Sequence, residues 1–316
     1  MIGNDIHIAA SLLKSGKNIA IPTETVYGLA GNAFDTDAVI GIYEIKKRPL
    51  FNPLIAHIGH WDMAERLSSG IPNVLRQLAI KFWPGPLTIL VPKSDLVHDI
   101  VTAGSADVAI RMPNHPLTLQ LLQLLDFPLA APSANTFGGI SPTTALHVDQ
   151  QLGAAIPYIL DGGACTIGVE STIIRANAQN KIEILRPGGI SAELLAAELG
   201  YMPELLTHAA IPLAPGMLKS HYAPEIPLIL GNILQLVNEH PGKKIGVLSY
   251  NKKIEHPSII YSEQLTMHND LHEAARNLFA AMRKLEGSGA EIILAEKVPN
   301  HDIGIAINDR LSRASA

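Results

Sequence analysis

Cysteine is almost missing from this chain: Cys165 is the single one in 316 residues. No disulfide can form within the chain, which suits a reducing compartment. No apolar run reaches the roughly 18 residues that a membrane-spanning helix needs. The N-terminal stretch MIGNDIHIAASLLKSGKNIAIP reads as a helix and then a strand, without the basic lead and small-residue cleavage site of a secretory leader. A cytoplasmic protein with no membrane partner is the expectation. Aromatic residues make up only 5% and the net charge is −5, with a pI near 6.2. Such a balance excludes a global positive field for nucleic acid and a self-sufficient stacking surface. Neither G-x-x-x-x-G-K-[ST] nor G-x-G-x-x-G occurs, so a Walker loop and a dinucleotide fingerprint are both excluded. There is no H-E-x-x-H, and His57 and His60 stand at a strand end, where period-two alternation sends them to opposite faces. Cys165 sits in a glycine-rich loop with no histidine nearby, a poor setting for a nucleophile.

Apolar material is abundant, at 47% with a mean hydropathy of +0.20, enough for a large core. Helical and strand periods alternate. Asp5 to Lys14 reads as a helix and NIAIP as a strand; a helix begins near Asp35 and stops at Pro49. PLIAHI, LTILV, VAIR, FPLAAP, YIL, STIIRA and IEILR read as strands, with helices such as 61–67, 73–82, TTALHVDQQL and SAELLAAEL among them. Neighbouring strands without a helix between them predict a mixed sheet in an α/β layered domain. THAAIPLAPGMLKSHYAPEIP then breaks the pattern with prolines and reads as a linker. A smaller α/β set follows: PLIL, KIGVLSY, the long helix DLHEAARNLFAAMRKLEGSG, AEIILAE and a last helix near INDRLSRA. The expected division is 1–207, a linker at 208–225, and 226–316.

Chemistry-bearing residues gather at element ends. In PTETVYGL, Thr23 and Thr25 follow a strand, where open α/β sheets place ligands, or simply finish that strand as β-branched residues. In KKRPLFNPL, Lys46, Lys47 and Arg48 complement a helix C-terminus or bind an anion, with Pro49 stiffening the exit and Asn52 in the next turn. Arg111 ends VAIR and offers a planar fork for carboxylate or phosphate, unless it is a solvent-facing edge residue. In APSANTFGGISPTT, Ser141 reads as a helix cap with Pro142 at the first helical position, a phosphate cradle or a plain cap. DGGACTIGVESTIIRA brings Ser171 and Thr172 to a strand start, and Arg186 ends the next strand. Hydroxyls and cations without a nucleophile or metal cage suit the holding of a small zwitterion beside a nucleotide.

PTETVYGL, KKRPLFNPL, VAIRMPNHP, APSAN with GGISPTT, GVESTI and ILRPG, in this order, closely resemble the YrdC-type threonylcarbamoyl-adenylate synthases over about residues 8 to 200. The linker APGMLKSHYAP and the second unit look like the long form of that family, with a C-terminal Sua-type domain. The resemblance implies a twisted mixed sheet flanked by helices in a large YrdC-like domain, plus a small Rossmann-like α/β domain. It implies formation of threonylcarbamoyl-AMP and diphosphate from L-threonine, bicarbonate and ATP, with Mg²⁺ arriving on ATP, for a tRNA adenosine beside the anticodon. Carried over, Thr25, His57, Arg111, Ala131 and Ser171 would hold threonine. Arg48, Asn52, Asp107, Ser133, Ser141, Arg186 and the linker's Tyr222 would hold ATP, with Lys46, Arg48 and Arg111 stabilising charge. Tyr222 and the linker would act as a lid. Asp107 stands where the family often has a hydroxyl, and Leu218, Lys219 and Ser220 stand where many long forms read K-Y-R. Partners implied are the downstream threonylcarbamoyl transferase machinery and, weakly, tRNA itself. Two rivals share the pattern: a YrdC-like RNA-binding protein without catalysis, and a related carbamoyl-adenylate-forming carbamoyltransferase.

Overall fold

A computed structural model describes residues 1–206 and 220–316. Most of the expected linker, 208–219, with Leu218 and Lys219, therefore lies outside the described residues. Among the described residues the larger sheet has eleven strands and mixed direction. Its centre runs Ile19–Ile21, Gly28–Asn32, Leu129–Ala130, Ile55–His57, Asp107–Arg111, Leu87–Pro92, Thr172–Ala176 and Ile182–Arg186. Ile55–His57 pairs parallel with Asp107–Arg111, which pairs antiparallel with Leu87–Pro92. Helices pack against it as the sequence periods predict, with Trp61–Leu67 and Asn73–Phe82 at the expected bounds.

Gly28–Asn32 was not expected as a strand, because GLAGN has neither alternation nor β-branched residues. Close packing explains its composition. A Cβ on Gly31 would sit 2.4 Å from the Asn18 amide nitrogen, and one on Gly28 would sit 3.2 Å from the Ala131 methyl.

The second sheet is four-stranded and all parallel, in the order Leu228–Leu230, Ile292–Ala295, Ile245–Ser249, Ile259–Gln264. Its long helix Leu271–Glu286 is capped by Asp270, whose carboxylate accepts from the His272 backbone N–H. The buried face of that helix, including Ala275, Leu278, Phe279 and Met282, shares one apolar cluster with Val26, Ile140, Val169 and Tyr222. Those four residues come from the PTETV, GGISP, GVEST and HYAP segments, so the small sheet's helix braces the loops that bear the hydroxyls. Gly168 makes that contact close: it has φ +84°, and a Cβ there would lie 2.4 Å from the Arg276 Cα. No helix among the described residues is long and apolar enough to cross a membrane.

Candidate functional site

Strand register decides which polar residues meet. His57 pairs across from Arg111, Arg111 from Thr88, and Leu87 from Thr172, so their side chains and that of neighbouring Ser171 collect at one end of the sheet. Arg186 closes its strand at the same end, opposite Ile173. The cavity there is lined by Thr23, Thr25, Arg48, His57, Arg111, Ala131, Ser133, Glu170, Ser171, Arg186, His221 and Tyr222, among others. Nine of the residues inferred from sequence thus share one cavity: Thr25, Arg48, His57, Arg111, Ala131, Ser133, Ser171, Arg186 and Tyr222.

Arg111 is buried and fixed on three sides. Nη1 donates to Thr25 Oγ1 at 2.9 Å, Nε donates to the Gly85 carbonyl at 3.3 Å, and Nη2 lies 2.7 Å from Glu24 Oε1. The Glu24 contact is an ion pair without hydrogen-bond geometry. Of the five N–H donors of the guanidinium, two are therefore spent on Thr25 and Gly85, and three make no hydrogen bond among the described residues. Thr25 is in turn 2.8 Å from Thr23 Oγ1, which donates to the Val26 carbonyl at 2.6 Å. His57 stands beside Arg111 with Nδ1 3.2 Å from the Ile55 carbonyl. Burial, and then the Arg111 charge, pull its pKa down to about 3. His57 is neutral at physiological pH and adds shape rather than charge.

Two further guanidinium groups face the same space. Arg48 Nε donates to the Asn52 carbonyl at 3.2 Å and Nη2 to the Pro53 carbonyl at 2.9 Å. Arg186 donates to the Ser171 carbonyl from Nε at 3.1 Å and Nη2 at 2.9 Å, and from Nη2 to Ser171 Oγ at 3.1 Å. Burial lowers both to about 10, so both stay charged at neutral pH. Ser171 Oγ also lies 2.7 Å from Thr88 Oγ1. A Cβ on Gly188 would strike the Glu170 carbonyl at 2.3 Å, which is why the RPGG turn can lie flat on the EST segment. Asn52 is fully buried, yet neither of its side-chain amide atoms has a protein partner among the described residues. Asn52 is not among the residues that line the cavity, and it meets Arg48 through its backbone carbonyl.

Several expectations need correction. Lys46 does not face the cavity: its fully buried Nζ donates to the Ser133 and Asn135 carbonyls and braces the APSAN loop. Desolvation drives its pKa well below the usual lysine value. Lys47 takes the left-handed C-cap conformation at φ 53° and is exposed, so the three consecutive cations point to three environments. Ser141 is not a helix cap. Thr144 caps the helix Ala145–Leu152, accepting from His147 N–H at 3.2 Å, while Ser141 Oγ donates to Glu170 Oε1 at 2.7 Å. Asp107 opens the strand that Arg111 closes and lines a separate groove with Pro92 and Arg175. Four residues along a strand span about 13 Å, so Asp107 is not brought to the cavity.

Sequence reasoning passed over Glu24, Glu170, His221 and Arg310. Glu24 sits between the two threonines of PTETV; its signal was the need of a buried arginine for a counter-ion. Glu170 receives Arg310 Nε at 2.8 Å from the terminal helix Gly304–Ala314. Burial alone would raise the Glu170 pKa, but the Arg310 and Arg186 charges and the Ser141 hydrogen bond outweigh it and hold it at about 2. His221 packs on Tyr222 with ring centres 4.1 Å apart and on Phe137 at 6.0 Å. Tyr222 has φ 67° and leans on Phe279 at 5.6 Å. Among the described residues no group of three or more His, Cys, Asp or Glu side chains could hold a metal. Cys165 is buried, and desolvation pushes its thiol far above the ordinary value.

The class follows from the frame: a mixed α/β sheet that collects guanidinium groups and hydroxyls at one strand end. The crystal structure of full-length HypF in its phosphate- and nucleotide-bound form shares this fold, with a TM-score of 0.53 over 59% of the chain at 20% identity. The Sua5_yciO_yrdC family model, described as telomere recombination, matches residues 11–188. The model described as threonylcarbamoyl-AMP synthase, C-terminal domain, matches 184–316. The crystal structure of Pyrococcus abyssi Sua5 complexed with L-threonine superposes with a TM-score of 0.93 at 39% identity, covering 100% of this chain and 97% of that one. The threonylcarbamoyl-AMP synthase of Bacillus subtilis is 41% identical over 99% of this chain and 94% of its own length. The Pyrococcus abyssi synthase is 40% identical over 98% and 94%. The chain belongs to the threonylcarbamoyl-AMP synthase family, in its long form.

Proposed function

We propose that the protein is an L-threonylcarbamoyladenylate synthase, making threonylcarbamoyl-AMP and diphosphate from L-threonine, bicarbonate or carbon dioxide, and ATP. The observation that carries this reading is the convergence of Arg48, Arg111 and Arg186 with Thr25 and Ser171 in one cavity, in a chain about 40% identical to named synthases along its whole length. The threonine amine captures carbon dioxide as a carbamate, losing a proton. A carbamate oxygen then attacks the α-phosphorus of ATP, and diphosphate leaves with the bonding pair. The attacking atom belongs to the substrate, so the protein's task is alignment and charge neutralisation. In this reading Arg111 takes the threonine carboxylate on N–H groups that make no hydrogen bond within the protein. Thr25, Ser171, neutral His57 and the Ala131 backbone complete that end. Arg48, Arg186, Asn52 and Ser133 face the nucleotide, with Ser141 approaching from behind Glu170. Mg²⁺ enters as the companion of ATP's phosphates.

Tyr222 bears on access. The cavity leaves only about 50 Å³ free, room for a few waters and far less than the 300–1,000 Å³ usual for ligand pockets. In our reading the segment bearing Tyr222 withdraws to admit ATP and closes over it afterwards. The product would pass to the downstream transferase machinery that modifies tRNA, in the cytoplasm.

Pyrophosphate release from ATP tests the proposal. Release that depends on both L-threonine and bicarbonate is expected. Release that ignores threonine, or that carbamoyl phosphate sustains in its place, would point to the related carbamoyltransferase chemistry instead.

A further inference from the structure

We propose that Arg310, from the last helix of the C-terminal unit, is a positioning residue for the nucleotide half of the site; this rests on the synthase reading above. Its side chain is completely buried. Nε donates to Glu170 Oε2 at 2.8 Å, and Nη1 donates to the Pro187 carbonyl at 2.9 Å and to Asp309 Oδ2 at 2.7 Å. The guanidinium carbon lies 5.3 Å from the centre of the Tyr222 ring. Each contact falls beside a residue placed in the pocket: Glu170 precedes Ser171, Pro187 follows Arg186, and Tyr222 lines the cavity itself. Through Glu170 the hold reaches a fourth segment, because the other carboxylate oxygen accepts from Ser141. One planar fork therefore ties together stretches of chain around Glu170, Pro187 and Tyr222, and through Glu170 the one around Ser141. Arginine suits this because its donors sit in a fixed plane, which lysine lacks.

The electrostatics give the contact a direction. Glu170 is buried among Arg310, Arg186, Asp309, Tyr222, His221 and Ser141. Arg310 occupies Oε2 and Ser141 occupies Oε1, so the carboxylate is committed on both sides. Removing Arg310 releases Oε2, and the next cation acting on Glu170 is Arg186. Glu170 would then draw Arg186 toward itself and away from an incoming phosphate. The network also fixes the polarity of Ser141: its one proton goes to Glu170, so its lone pairs are left to accept from an N–H or O–H of the ligand, not to donate to phosphate oxygen. On the threonine side Arg111 keeps its own counter-ion in Glu24 at 2.7 Å, and the disturbance reaches that half only through the hydrogen bond from Arg186 to Ser171 Oγ.

The test uses the full chain with Arg310→Lys, Arg310→Met, and Arg310→Met combined with Glu170→Gln, reading ATP affinity by calorimetry alongside KM for ATP and for threonine. Arg310→Met is expected to weaken ATP about tenfold or more, the scale of one charge-assisted contact, with a clearly smaller rise in the threonine KM, transmitted through Ser171. Adding Glu170→Gln should recover most of the ATP affinity, because the carboxylate that captures Arg186 is gone. Arg310→Lys should fall in between. Should the Met variant fail to fold, the charge-neutral double variant and the Lys variant carry the test, as neither buries an unpaired charge. Unchanged ATP affinity in a folded variant, a parallel loss for both substrates, or no recovery in the double variant would each overturn the proposal. Threonine-dependent pyrophosphate release by the unaltered protein is scored separately. Its absence would sink the synthase reading, while the ATP-affinity pattern still decides the role of Arg310.

Discussion

Replacing Glu24 with alanine probes the least visible part of the site. Glu24 and Arg111 form an ion pair at 2.7 Å with side chains only 6% and 4% exposed. Taking away one member of such a pair leaves the other charged and desolvated, a loss of about 3–5 kcal/mol. Arg111 cannot move off to water, because Thr25 Oγ1 and the Gly85 carbonyl still hold Nη1 and Nε. The full loss should therefore appear in equilibrium urea denaturation, read as a lower midpoint at unchanged slope. Glu24→Gln keeps the shape and one acceptor and should lose less, about 1.5–3 kcal/mol. Under the proposed assignment L-threonine would supply a carboxylate to the orphaned guanidinium, so added threonine should raise the midpoint of the alanine variant more than that of the parent. A loss below about 1 kcal/mol, or a smaller threonine effect in the variant, would refute the view that Glu24 is the resident counter-ion of the proposed threonine-carboxylate site.

Arg111→Ala should chiefly raise the KM for threonine and Arg48→Ala that for ATP, by about tenfold or more for each lost charged contact; steady-state kinetics on both substrates separates them. Gly168→Ala puts a methyl where the Arg276 Cα stands 2.4 Å away, at φ +84°. We expect about 1–3 kcal/mol of destabilisation, measured by thermal melting, with Gly70→Ala in open space as the comparison. His57 and His221 are buried with pKa values pulled down to about 3, chiefly by desolvation, against 6.5 when unfolded. Between those values the unfolded chain binds more protons, so stability is intact above about pH 6.5 and falls with acidification, by about 1.4 kcal/mol per pH unit per histidine. Urea midpoints from pH 7 to 4 check this, and His57→Gln should flatten the slope by one proton's worth. Cys165→Ser should keep pyrophosphate release, since the thiol is buried and is not among the residues that line the cavity.

Much of the site was legible because its residues stand at element ends that local patterns already mark. Arg111 closes an apolar strand, where it offers a fork for an anion or faces solvent, and Arg186 closes another as one of the cations at element ends; both line the cavity. The run Lys46–Lys47–Arg48 was legible as a cationic cluster but not as three separate fates, because the left-handed turn at Lys47 sends one neighbour inward to carbonyls and the other to the pocket. Ser141 resembled a cap, since Ser-Pro before an amphipathic run is what caps look like; a carboxylate from a distant loop claimed its hydroxyl instead. Asp107 was assigned by likeness along one strand, and strand length alone carries it to the wrong end.

Taken by itself, the sequence determined the alternating α/β order, the mixed sheet and most of the hydroxyls and guanidinium groups that line the cavity, because propensity, periodicity and motif order are local. Only the tertiary structure decided the counter-ions. Glu24 for Arg111, and Arg310 for Glu170 across 140 residues of chain, are set by which low-dielectric space each charge shares. No local pattern records that, since the cost of burying a charge depends on partners that folding alone brings near.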